Sequence, residues 1–287
     1  MTITTTSPTK LAKPIVRLGR PRAGGTLSAL TMRRLSLSIR SPRSLAIPVM
    51  NPVLFAVVLA PALANAVASP SGRTTYMTFV ALATVGLLIP LTALFSGIGV
   101  VVDRQHGGMR ELLVAPIRRS SIVFGNLLAA LAITALQIAI LIGLSALRGA
   151  QYTAGAHVLW FLAAVLVLTV LMYAIAEILA TRLRTAEEYT GALPVVAIVP
   201  FFFAGSLFAI SALPGWLDAI AKVLPLTHAM ALFRYGLTPS AGAQALHNIW
   251  GLSNVTEMAV LSLVVLIAYT SVALAAAVRL FAKAGTS

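Results

Sequence analysis

Residues 74–102 read TTYMTFVALATVGLLIPLTALFSGIGVVV, 29 consecutive residues without a charge between Arg73 and Asp103. A helix crosses the hydrocarbon core with roughly 20 residues, and a charge inside it is costly, so this run is long enough to span a bilayer. Four further runs match it: those between Arg43 and Arg73, Arg119 and Arg148, Arg148 and Glu177, and Glu188 and Asp218 hold 29, 28, 28 and 29 residues. A sixth, between Glu257 and Arg279, holds 21. The 22 uncharged residues between Arg234 and Glu257 include GLTPSAGAQALHNIWGLSNVT, too rich in Gly, Pro, Asn and Ser to cross. Trimmed to their apolar cores, the runs predict spans near 45–67, 77–102, 121–146, 157–181, 192–211 and 258–280. The expected fold is therefore an all-α, polytopic membrane protein with six transmembrane helices.

Composition agrees with this reading. Of the 287 residues, 59% are hydrophobic and 10% charged, with a mean hydropathy of +0.95. A soluble domain carries about a quarter charged residues, which excludes that class. Cysteine is absent, so neither a disulfide scaffold nor thiolate metal chemistry is available. The net charge of +14 does not indicate a nucleic-acid binder, because the basic residues lie in the gaps between apolar runs rather than on a soluble module. Seventeen of the 21 Lys and Arg fall on one side of the six-span map: nine in the first 43 residues, and the rest after spans two, four and six. The positive-inside rule then puts both termini in the cytoplasm, in a plasma (inner) membrane.

Residues 1–25 read as a disordered basic tail, and 26–44, where leucines alternate with arginines, as an interfacial amphipathic helix leading into the 45–282 transmembrane domain. The first apolar run starts too late and is too long for a cleavable signal.

Phosphate-loop, H-E-x-x-H and G-x-S-x-G motifs are missing, and the four histidines are scattered without metal-ligand spacing. Glu187 and Glu188 are adjacent, about 100° apart on a helix, which suits shared magnesium binding poorly. These observations argue against an enzyme. The most informative connection is DRQHGGMRELLVAPIRRSSIVFGNLLA, residues 103–129. Two glycines allow a chain reversal, and in MRELLVAP the apolar Met109, Leu112 and Leu113 recur at three- and four-residue spacing, with Arg110 and Glu111 opposite. The pattern fits either an interfacial helix with its apolar face in lipid or a face offered to a cytoplasmic partner.

This string resembles the loop between the second and third spans of type-2 ABC exporter permeases. There an acidic residue, a basic one, a glycine turn, Glu-x-Leu-Leu and a downstream Pro dock on the ATPase subunit. A second stretch, ALPGWLDAIAKVLPLTHAMALFR at 212–234, resembles that family's segment after span five, with Leu224 where Asn is common. The likeness covers about residues 26–282.

The resemblance implies the type-2 ABC exporter permease fold, a pair of six-span subunits on two cytoplasmic ATPases, and a second permease copy or a sister permease as partner. It also implies a cytoplasmic coupling loop at 103–120 made by Asp103, Arg104, Gly107, Gly108, Met109, Glu111, Leu112, Leu113, Pro116 and Arg118. Outer re-entrant or surface helices would occupy 212–236 and involve Leu213, Pro214, Pro225, Leu226 and Arg234. ATP and magnesium would sit on the partner ATPase, leaving no cofactor, metal or catalytic residue in this chain. The implied cargo is hydrophobic or amphiphilic: a drug, an antibiotic or a lipid.

Glu177 lies inside span four, about one turn before Arg182, where it would pair with Arg182 or Arg184 or serve coupling or gating. Prolines 48, 52, 61, 90, 194 and 200 predict kinks. Phe201, Phe202, Phe203 and Phe208 would face lipid or cargo, and Asn254-Val255-Thr256 matches a glycosylation sequon. Two other classes remain open. An ion-coupled secondary transporter would want more ionisable residues near the midplane, and a membrane assembly protein would use the 103–120 loop to recruit a partner other than an ATPase.

Overall fold

The computed structural model describes residues 28, 31–32, 49–67, 69, 72–105, 119–153 and 155–284. The basic tail, most of the 26–44 segment and residues 106–118 lie outside these. Secondary structure among the described residues is helical throughout, as the uncharged runs predict. Six helices are long and apolar enough to cross a membrane. They are α1 (Val49–Ala66), α2 (Arg73–Gln105), α3 (Arg119–Leu147), α4 (Val158–Arg182), α5 (Ala186–Phe203) and, after three shorter helices, α9 (Val255–Ala284). The shorter ones are α6 (Gly215–Val223), α7 (Pro225–Leu237) and α8 (Pro239–Trp250).

Helix α4 is central, packed against α2, α3, α7 and α9. Its buried Phe161, Ala164, Leu168, Leu171, Met172, Ala176 and Ala180 recur at three- and four-residue spacing, which brings them onto the inward side. The opposite side leaves Leu159, Leu162 and Leu166 exposed, as do Val260, Val264 and Val272 on α9. Exposed aliphatic faces of this kind suit lipid, which is as apolar as they are.

Proline shapes two spans through a widened turn. A π-turn at Phe55–Leu59 closes with Ala60 N–H on the Phe55 carbonyl, immediately before Pro61. A second at Pro194–Ile198 closes with Val199 N–H on the Pro194 carbonyl, immediately before Pro200. A proline ring collides with the carbonyl four residues back and has no N–H to give it; opening the register by one residue removes the collision and keeps the chain helical. Pro90 remains within α2 without such a turn.

After α5 the chain turns sharply. Extended Leu224, forced out of the helical region by Pro225, sets α6 and α7 at 80° to each other. Every residue of α7 from Leu226 to Leu237 is buried, against α2, α4, α8 and α9. Thr238 alone then reverses the chain into α8, whose 12 residues reach about 18 Å, too short to span. The Trp250 indole N–H donates to the Ser262 hydroxyl at 2.8 Å, and that hydroxyl lies 3.3 Å from His228 Nδ1. His228 Nε2 faces the Lys222 carbonyl at 3.0 Å and must therefore carry the proton, tying α6, α7, α8 and α9 together.

Candidate functional site

The helices meet at two chemically different ends. At the first, α2 finishes at Gln105 and α3 restarts at Arg119, so the 106–118 connection leaves from this end. Below it, Leu94 and Val101 of α2, Ala176 and Ala180 of α4, and Tyr189, Leu193 and Ala197 of α5 form a separate buried cluster. The fully buried Tyr189 donates its hydroxyl to the Leu94 carbonyl at 2.9 Å. Gly97 makes the approach possible, because a Cβ there would stand 2.2 Å from the Tyr189 hydroxyl oxygen. The Tyr173 hydroxyl on α4 donates to Glu177 Oε1 at 2.5 Å and lies 3.1 Å from the Val123 carbonyl of α3. Midway along the bundle the Thr92 hydroxyl donates to Gln137 Oε1 at 2.5 Å, joining α2 to α3 directly. Both helices that carry the loop are thus tied by buried polar contacts to α4 or α5.

Asp103 and Arg104 fall in the last turn of α2. Gly107, Gly108, Met109, Glu111, Leu112, Leu113, Pro116 and Arg118 lie outside the described residues. Glu177 is buried, with the Tyr173 hydroxyl against its carboxylate; Arg182 ends α4. Arg184 donates its backbone N–H to Glu188 Oε2 at 2.9 Å. In return Thr185 Oγ1 accepts the Glu188 N–H at 3.1 Å, which closes the start of α5. The sequence signal for this is Thr185-x-x-Glu188, a capping-box pattern in which the carboxylate reaches the N–H one residue ahead of the cap. Thr185→Ala is expected to lower stability by about 1 kcal/mol, read as a drop in unfolding midpoint in detergent, with no change in oligomeric state.

The second end gathers the start of α2, the 148–153 connection, and α7 with α8. Gln151 N–H donates to Thr78 Oγ1 at 2.8 Å, and Thr153 N–H to the Leu237 carbonyl at 2.8 Å. Tyr152 contacts Ser145 Oγ at 2.7 Å, and its burial pushes the phenol above its usual value of 10. Leu213 closes a 3-10 turn, Pro214 caps α6, Pro225 begins α7, and Leu226 is 1% exposed.

Arg234, in the last turn of α7, is 6% exposed. Its Nη2 donates to the carbonyls of Gly205 at 2.7 Å and Ser206 at 3.3 Å, and its guanidinium carbon stands 4.1 Å from the centre of the Phe79 ring. Gly205 has φ +70°, where a side chain would be strained, and its Cβ would meet Ile210 at 2.7 Å. That turn aims the carbonyl at the guanidinium. Asn254 caps α9 through its side-chain oxygen, which accepts the Thr256 N–H at 3.1 Å, so the sequon residue also has a helix-start role. Phe201 turns inward, whereas Phe202 and Phe208 are exposed.

Residues 26–238 match the family model described as ABC-2 type transporter. The chain is also 27% identical over 231 residues to "Putative transport permease ycf38" of Porphyra purpurea, covering 78% of this chain and 79% of that protein. The match runs from before α1 to the end of α7, and so includes five of the six long helices, the 106–118 connection and Arg234. The chain belongs to the ABC-2 type transporter family, as a multi-pass, permease-type membrane component.

Proposed function

We propose that this chain is the membrane subunit of an ATP-driven exporter, paired with itself or a sister permease and docked through residues 103–120 on separate cytoplasmic ATPases. Both termini face the cytoplasm. The observation that carries the reading is the loop itself: MRELLVAP joins two membrane-crossing helices, with three apolar anchors beside Glu111, in a chain of a family that generally works with ABC ATPases. Apolar anchors in a partner's groove, with one charged contact, are a recurrent way for a short helix to be recognised. The motion is passed on from Gln105 and Arg119 into α2 and α3, and from there through Tyr189, Tyr173 and Gln137 to the rest of the bundle. ATP and magnesium belong to the partner. The cargo is hydrophobic or amphiphilic, a drug, antibiotic or lipid, in keeping with a bundle poor in membrane-embedded charge.

Gentle purification of the tagged chain from its host, with mass spectrometry of what accompanies it, tests the reading. An ATPase bearing a phosphate loop is expected. Proteoliposomes holding both subunits should transport with ATP and continue when the proton gradient is collapsed. Transport driven by the gradient alone would establish a secondary transporter instead.

A further inference from the structure

The short helix α6 (Gly215–Val223) has the polarity of a water-facing helix turned around. Its exposed residues are Gly215, Trp216, Ala219, Ile220 and Val223, none of them polar, and they fall within about 140° of the helix circumference. Trp216, Ile220 and Val223 are 68%, 48% and 62% exposed. The two charges of α6, Asp218 and Lys222, lie outside that arc and pair with each other at 2.8 Å, while Ala221 is buried against the protein. A helix bordered by water carries its polar residues on the outer side, so this face suits an apolar neighbour.

Two contacts measure how deep the end of α6 lies. The Tyr269 hydroxyl donates to the Val223 carbonyl at 3.0 Å. Tyr269 stands about 21 Å along α9 from Val255, and its ring leans back toward that start, which puts Val223 roughly 15–20 Å below it. Independently, His228 of α7 meets Ser262, which is about 10 Å along α9, and α7 begins about 4.5 Å deeper still, at Pro225. Helix α7 does climb from there, because its last residue, Leu237, accepts Thr153 N–H from the 148–153 connection. Glu257 is the last charge before the uncharged run of α9, so the α6–α7 corner stands roughly 10–15 Å inside the hydrocarbon.

Hydrogen bonding at the corner agrees with that depth. A helix that ends in water leaves its last carbonyls to solvent, whereas in a bilayer the protein must serve them. Here three successive carbonyls each receive a protein donor: Ala221 from Leu224 N–H at 3.1 Å, Lys222 from His228 Nε2 at 3.0 Å, and Val223 from Tyr269. We propose that α6 lies within the bilayer, in the leaflet remote from the 106–118 loop, with its exposed face covered by lipid acyl chains. Set at 80° to α7, it runs across the direction of the spans rather than along them. Continuity identifies the occupant. Tyr269, which holds the end of α6, is itself on the exposed side of α9 with Ile267 and Val272, so the α6 face extends that aliphatic surface. The Asp218–Lys222 pair keeps the helix neutral there, as an apolar setting requires. This setting is independent of how transport is driven, so its failure would leave the exporter reading untouched.

The test uses the full chain in phosphatidylcholine liposomes, with Trp216 as its reporter. The chain has three tryptophans, so Trp160→Phe with Trp250→Phe leaves one emitter. Lipid brominated midway along its acyl chains should remove most of the Trp216 emission, and aqueous iodide should remove little. The Trp250 indole bonds Ser262, so a second preparation keeps Trp160 and Trp250 and reads the same position through bimane on Trp216→Cys, in a chain with no other cysteine. Acyl quenching without iodide quenching supports the proposal in either preparation. Quenching by iodide without acyl quenching would show a water-facing helix, and quenching by neither would show that protein, such as a second copy of this chain, covers the stripe; both results overturn it. Tyr269→Phe gives an independent reading. It leaves the Val223 carbonyl without its donor, so the unfolding midpoint should fall by a few degrees. An unchanged midpoint, as expected where water replaces the hydroxyl, would overturn the assigned depth.

Discussion

Gly242→Ala is expected to destabilise the fold severely, although it adds a single methyl group. The reversal at Thr238 lays the first turn of α8 back on the last turn of α7, held by Thr238 N–H on the Arg234 carbonyl at 2.6 Å and Gly242 N–H on the Thr238 carbonyl at 2.9 Å. A Cβ at 242 would stand 2.0 Å from Tyr235 N, 2.1 Å from Tyr235 Cα and 2.6 Å from the Arg234 carbonyl carbon. All three are backbone atoms, so no rotamer change relieves the overlap. Nor can α7 retreat. On its far side Gly236 lies so near Phe161 of α4 that its own Cβ would be 2.5 to 2.9 Å from the Phe161 backbone and Cβ. Overpacking costs roughly 1–3 kcal/mol where side chains can yield, so the upper end or more applies here. For a chain of this size that lowers the unfolding midpoint by about 10 °C and reduces the monodisperse fraction on size exclusion. Gly143→Ala on α3 is the control: nothing lies within 4 Å of its Cβ, and alanine should stabilise that helix by about 0.5–1 kcal/mol. Equal behaviour of the two variants would refute the close α7–α8 contact.

This difference between two glycines also marks what the sequence could reveal. Uncharged runs locate membrane-crossing helices because the cost of a buried charge acts on each segment separately, whatever its neighbours are. Hence α2, α3, α4 and α9 are legible from charges alone, and 236–256 is legible as unable to cross. The depth of α7 is another matter. PLTHAMALFRYGL has polar and basic residues that suit a surface helix as well as a buried one, and only its packing between α4 and α8 decides. The same holds for Arg234, whose burial depends on Phe79, 155 residues earlier, and on the turn at Gly205. Prolines 61 and 200 predicted distortion, but its form, a π-turn just ahead of each, follows from a backbone register that single residues do not encode. For the 106–118 connection the position is reversed: the sequence pattern at 107–116 is specific, and those residues lie outside the described part of the chain.

For that loop the expected result is a separation of folding from function. Glu111→Lys combined with Leu112→Asp should leave the chain inserted, with an unfolding midpoint within a degree or two of wild type, while ATP-dependent transport is lost. Folding should survive because the two buried clusters among the described residues are built on the membrane helices themselves, on either side of Gln105 and Arg119. Function should not, because the two changes act on different terms of one contact. Leu112→Asp places a carboxylate where the proposed groove expects an aliphatic anchor, and Glu111→Lys sets like charge against a basic residue of the ATPase. Central anchors of small interfaces cost about 2 kcal/mol or more each when lost. The pair would then weaken docking by about a thousandfold, since each 1.4 kcal/mol is a factor of ten. The ATPase should disappear from the purified complex and transport should fall to background. If the variant kept its ATPase and transported at the wild-type rate, docking through this loop would be wrong. If it folded normally and lost a partner that is not an ATPase, the loop would still be a docking element, but of an assembly protein, because the same anchors would be serving a groove with no motor behind it.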